Sequence, residues 1–331
     1  MIELTLFFLG AALVLYAVFG GADFGAGVLE SLPTPGARAD QERLVTRALG
    51  PVWEANHVWL IVVVVILFNG FPEAFRHLSI AYHLPLTALL VVIVLRGCAF
   101  TFRHYDAVQD GTSRTYTRLF ELSSALAPLV LGLIVGGLLV GRPIDAGTYV
   151  DRFVSPWLSL FGAVLGLFLL SLFTFVAAVF LVGESEDPAV QAVFRQRARG
   201  ANLTAIVAGA LTLPAAAFSG LDLFGRFLDR PLALLAVVGA TLLLVPLHAL
   251  LRTGRPVLLL RVLASAVFGC VLLGWFALQY PYLVPAPGGG LTAQAAAAPA
   301  VTLWWLNAAL VGGSLLMFPA LGYLLWVFKR R

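Results

Sequence analysis

Apolar residues along this chain do not alternate with polar ones. They come in runs of about 20, the length that carries a helix across a bilayer core. Nine such runs are visible, at 2–28, 52–71, 78–102, 119–140, 157–183, 201–219, 231–251, 258–280 and 302–328. Pro214 and Pro246 interrupt the sixth and seventh runs, which weakens those two as continuous helices. The two-residue period of a membrane β-barrel is missing. The pattern predicts an all-α polytopic membrane protein, with 1–331 as a single integral membrane domain. The first run carries Glu3 at its start and no basic segment before it, so it reads as a retained helix and not a signal peptide.

Charge placement gives the helices a direction. Fifteen Lys and Arg residues lie in the connections after the first, third, fifth and seventh runs and at the C-terminus, for example Arg43, Arg103, Arg118, Arg195, Arg261 and Lys329. Only five, Arg76, Arg142, Arg152, Arg226 and Arg230, lie in the others, and Arg96 sits within a run. The positive-inside rule then predicts an outside N-terminus and a cytoplasmic C-terminus. The stretch 281–301, with its PAPGGG and AQAAAAP segments, reads as a flexible outer connection.

Composition narrows the function classes. The chain is 60% hydrophobic and 11% charged, with a mean hydropathy of +0.95. Soluble domains carry about 25% charged residues, so a soluble enzyme is excluded. A net charge of +4 does not indicate nucleic-acid binding, because the basic residues are spread over short loops. Cys98 and Cys270 both fall in apolar runs, which leaves no disulfide framework and no Cys-based metal site.

Ionisable side chains inside the runs are costly and mark function by default. Asp23 lies late in the first run, Glu54 and His57 early in the second, Arg96 late in the third, Glu121 at the start of the fourth and His248 at the end of the seventh. With the topology above, all six fall in the cytoplasmic half, and His83 falls toward the outer face. Glu54 and His57 are three residues apart and share a helix face. Gly20, Gly21, Gly25 and Gly27 flank Asp23 and permit close helix approach. Carboxylates at one depth on neighbouring helices suit a proton relay. The plain alternatives stay open: Arg96 as a structural partner of Asp23 or Glu121, Glu54 as a helix-start charge, His57 as a simple hydrogen-bonding residue. Trp53, Trp59, Trp157, Trp304 and Trp305 read as interfacial belt residues. A haem held by this chain would need two ligands at one depth; His57 with His83 fails that condition, and His57 with His248 is geometrically allowed, with no Met or Cys at a matching depth.

Two segments carry a family likeness. Gly21-Ala22-Asp23-Phe24-Gly25-Ala26-Gly27 and Gly50-Pro51-Val52-Trp53-Glu54-Ala55-Asn56-His57-Val58-Trp59-Leu60 resemble the G-x-D-F-G-x-G and G-P-x-W-[D/E]-x-N-x-V-W-L patterns of subunit II of cytochrome bd-type quinol oxidases. Tyr280-Pro281 with Pro285 resembles that family's Y-P-x-x-x-P segment. Glu54 stands where many members have Asp, as in the cyanide-insensitive branch.

The resemblance implies nine helices as two four-helix bundles plus a peripheral one, with pseudo-repeat halves near 1–140 and 157–280 and the last helix at 302–328. It implies a heterodimer in a prokaryotic cytoplasmic membrane that oxidises quinol and reduces O2 to water. Haems b and d and the quinol loop would belong to subunit I, so this chain would ligate no haem and no metal. Its role would be to stabilise the haem subunit and line a cytoplasmic proton path. Asp23, Trp53 and Glu54 take the family's acidic and aromatic positions, Trp53 near a partner haem, with Arg96 a further match; His57 and Glu121 support the relay by their depth alone. A small accessory subunit and a structural quinone are left open. Two other classes compete: an assembly subunit without a proton role, and an ion-coupled secondary transporter, which would place its carboxylates at the midplane.

Overall fold

The computed structural model describes residues 1–32, 38–49, 53–105, 111–141, 147–253, 256–286 and 289–329. Side chains at 38–40, 49, 53–55, 104–105, 111–113, 253, 324–325 and 328–329 lie outside the description. The chain is almost wholly helical: α1 (Ile2–Glu30), α2 (Arg38–Leu49), α3 (Trp53–Gly70), α4 (Pro72–Ala81), α5 (His83–Tyr105), α6 (Gly111–Val140), α7 (Tyr149–Phe153), α8 (Leu160–Val182), α9 (Pro188–Phe218), α10 (Leu223–Asp229), α11 (Pro231–Thr253), α12 (Val257–Gln279), α13 (Ala293–Ala296) and α14 (Ala300–Lys329). Among the described residues, eight of these helices are long and apolar enough to cross a membrane. The second predicted run is the exception. α3 and α4 meet at Phe71 with a bend of 117°, and together they make a ninth span if they act as one. Pro72 starts the new helix at a position that needs no backbone donor.

The four helices α1, α3, α5 and α6 pack together, as do α8, α9, α11 and α12, and α8 joins the groups through α6 and α1. α8 is correspondingly the most enclosed helix, with Leu172–Val179, Leu181 and Val182 buried. Glycine decides its closest crossings. A side chain at Gly132 on α6 would fall on the Gly166 backbone of α8, and one at Gly136 on Gly162. The two small-xxx-small pairs face each other antiparallel, which lets the backbones approach and gain dispersion contacts that lipid cannot supply. α14 packs on α3 and α1 and is otherwise mostly open.

Several sequence expectations change. Pro214 and Pro246 sit inside continuous helices, since neighbouring helices compensate a proline within a membrane. α9 starts at Pro188, with Asp187 capping it through the Ala189 N–H, so it extends well before the predicted 201. α6 begins at Gly111, which puts Glu121 well inside the helix and not at its start. The stretch 281–301 is not a loose connection. Tyr282–Ala286 (β1) and Gly289–Thr292 (β2) pair antiparallel, and α13 follows. Buried Ala293 and Ala296 pack with Phe71 and Ala74, and the Ala298 N–H donates to the Gly70 carbonyl at 2.9 Å. Trp59 is no belt residue either: it is buried and stacks on Phe318 of α14. Trp304 and Trp305 remain exposed near the start of α14.

Candidate functional site

α1 carries a π-helical turn at Tyr16–Gly20 immediately before the Gly-rich segment, a local widening that recurs at functional sites. Beyond it the glycines pull α8 and α6 onto α1. A side chain at Gly25 would fall on the Phe173 carbonyl of α8, and one at Gly27 on Ser124 of α6. Asp23 is therefore enclosed by protein and not lipid, at 0% exposure.

Arg96 of α5 reaches this carboxylate. Nη2 donates to Oδ1 at 2.8 Å and to the Asp23 carbonyl at 3.0 Å, and Nε donates to Ser124 Oγ at 3.0 Å. Nη1 stands 2.8 Å from Oδ2 as an ion-pair contact without hydrogen-bond alignment. Both charges are shut away from solvent and lipid, which is tolerable only because they are paired and the guanidinium is further hydrogen-bonded. Phe24 and Phe120 lie 5.0 and 4.8 Å from the guanidinium carbon, within cation–π range.

A second pair lies two helical turns on. Glu30, which the hydropathy window left outside the first run, is in α1 and buried, and it pairs with Arg103 of α5. Arg103 sits 4.6 Å from the same Phe120 ring and donates to Thr46 Oγ1 of α2 at 3.3 Å. Asp23, Arg96, Phe120, Arg103 and Glu30 thus form one buried column. Glu42 and Glu121 are close enough to act electrostatically on Glu30, which places Glu121 beside the second pair. Arg103, read from sequence as a loop cation, is a structural partner. The signal was present in the spacing, since Asp23 to Glu30 and Arg96 to Arg103 are both seven residues, two turns of one helix face.

His57 of α3 lies against Tyr16 and Phe24, with ring centroids 6.3 and 6.0 Å apart. Its Nδ1 and the Tyr16 hydroxyl are buried without a hydrogen-bond partner. The backbones of Trp53 and Glu54 open α3, and their side chains lie outside the described residues. The other described histidines are elsewhere: His77 beside Glu73, His83 on the Ile80 carbonyl, and His248 beside Asn202. Among the described residues, no three His, Cys, Asp or Glu side chains are grouped to hold a metal ion. Each described histidine has a different setting, which does not fit the paired axial ligands of a six-coordinate haem.

Residues 1–328 match the family described as cytochrome bd terminal oxidase subunit II. The chain belongs to that family. This subunit II is 29% identical over 145 residues to cytochrome bd ubiquinol oxidase subunit 2 of Bacillus subtilis, a stretch covering 43% of this chain and 41% of that one. It is 26% identical over 141 residues to cytochrome bd-I ubiquinol oxidase subunit 2 of Escherichia coli, covering 43% and 36%. The aligned stretches thus span less than half of each relative. The solved bd oxidase of Geobacillus thermodenitrificans shares the fold, with a TM-score of 0.79 at 20% identity over 98% of both chains. This subunit II is a multi-pass protein of a prokaryotic cytoplasmic membrane.

Proposed function

We propose that this subunit II pairs with a haem-bearing subunit I and supports quinol oxidation coupled to reduction of O2 to water. In this reading it is one integral membrane domain, its two groups of four helices forming pseudo-repeat halves and α14 the peripheral helix. It stabilises the partner, whose haems b and d it does not ligate, and it lines a proton path from the cytoplasm.

The observation that carries the reading is the buried Asp23–Arg96 pair, built from the family's Gly-rich motif and lying beside α3, which opens with Trp53 and Glu54. Two features support a cytoplasmic location for it. The parallel pairing of α1 with α5 requires a crossing between them, a role for α3 and α4 that brings the spans to nine. The excess of basic residues then lies at the end of the bundle where α1 finishes. Asp23 is engaged at both oxygens, so we assign the mobile proton to Glu54, with Asp23–Arg96 as the fixed charge pair beside its route. His57 and Glu121 flank that route.

Glu54→Gln keeps the shape and removes the titration. In the assembled complex it should lower turnover while the haem spectrum persists, and Glu54→Asp should retain much of the activity. Wild-type quinol oxidation by Glu54→Gln across about pH 6 to 9 would overturn the relay. A purely structural role for this subunit is the second reading, and the two-point grip of Arg96 on Asp23 favours it.

A further inference from the structure

At the end of the bundle where α1 begins, a cavity of about 340 Å³ opens between α6, α10, α12 and β1. That volume falls at the lower end of ligand-sized sites, roughly 300–1,000 Å³. Its walls include Leu139 at the end of α6, Arg226, Asp229 and Arg230 around the start of α11, Gln279 at the end of α12, and Tyr282. Three spans end or begin here, so the cavity lies at headgroup depth. The site is unrelated to the buried column.

Its polar groups are held in place but incompletely used. Arg226 is oriented by one hydrogen bond, Nη1 to the Leu139 carbonyl at 3.3 Å, which leaves the rest of the fork open. Among the described residues, no hydrogen bond or ion pair engages the side chains of Asp229 and Arg230. Gln279 donates through Nε2 to the Leu283 carbonyl at 3.1 Å, and its Oε1 is buried with no donor. An unmet acceptor in such a setting calls for a ligand that brings a donor. Two guanidinium groups and one carboxylate leave one positive charge, which a single phosphodiester neutralises. Leu232 and Leu235, 53% and 66% exposed, continue from Arg230 along α11 as an apolar strip.

We propose that this cavity binds an anionic membrane phospholipid through its headgroup, a phosphodiester that carries hydroxyl donors. The phosphate lies between Arg226 and Arg230, a hydroxyl reaches Gln279 Oε1, and an acyl chain follows the leucine strip of α11. The same phosphate chemistry occurs in a free glycerophosphate, which lacks the chain.

The test uses the purified heterodimer in nanodiscs of phosphatidylglycerol or phosphatidylcholine, with retained lipid counted by native mass spectrometry. Wild type should hold phosphatidylglycerol at least about tenfold better than phosphatidylcholine, which lacks a headgroup donor; tenfold is the weight of one buried acceptor left unmet. Arg226→Gln with Arg230→Gln should lose that retention while haem spectrum and assembly stay unchanged. Gln279→Leu should lose the preference for phosphatidylglycerol, and it decides the matter alone if the double variant fails to assemble. Equal retention by wild type and variants, or of the two lipids by wild type, overturns the proposal. Displacement by an equal concentration of free glycerol 3-phosphate also overturns it, since the site would then take the anion without its chain.

Discussion

Arg96 and Asp23, 73 positions apart in sequence, meet at 2.8 Å with both side chains buried. Arg103 and Glu30 meet at the same offset of 73. A constant offset means that α1 and α5 run in the same direction and in register. The column therefore locks the rotation and the height of one span against another, a specificity that apolar packing supplies poorly.

Removing one half of the Asp23–Arg96 pair should be severe. Asp23→Asn leaves a buried guanidinium uncompensated, at a cost of about 3–5 kcal/mol, expected as a lower thermal midpoint and a poorer yield of the complex. Replacing both, Asp23→Leu with Arg96→Met, should recover much of that loss. A double variant as unstable as the single one would mean that the ion pair is not the source of the effect.

Gly25→Leu should prevent α1 from reaching α8, because the new side chain meets backbone at the Phe173 carbonyl and has no flexible neighbour to displace. The same holds for Gly132→Leu at Gly166. Recovery of folded chain should drop sharply for both, before any partner is involved. Normal yield of intact complex from either variant would contradict the close crossings.

His57→Ala should leave every haem band of the complex in place. The imidazole packs against Tyr16 and Phe24, and the other described histidines lie elsewhere. An absorbance spectrum with one haem missing from an otherwise assembled complex would refute this.

Asn307 ties α14 to α1 by donating to Thr5 Oγ1 at 2.9 Å and to the Met1 carbonyl at 3.2 Å. Asn307→Leu should cost about 0.6–1.7 kcal/mol, the range for interhelical hydrogen bonds in a membrane. Faster hydrogen exchange in α14 without loss of haem is the expected readout, and unchanged exchange would leave apolar contact as the only tether.

Hydropathy and charge alone dictated the membrane class, the run of spans and their expected direction. Those properties depend on transfer of each segment between water and hydrocarbon, which is a sum over local residues. The motif around Asp23 was legible for the same reason, since a charge among glycines in an apolar run is anomalous wherever it is read. The tertiary structure decided the partners. Asp23 could have paired with several cations, and only the packing of α1 and α5 on their shared neighbour α6 selected Arg96. Hydropathy stopped the first span at 28 because Glu30 is charged, yet Arg103 neutralises that charge inside the bundle. The bend at Phe71 and the hairpin over 282–292 likewise escaped a one-dimensional reading. The bend is packed by α13, more than 200 residues away, and the locally paired strands lie against α4 and α6; the free energy of those contacts exists only once the chain has folded.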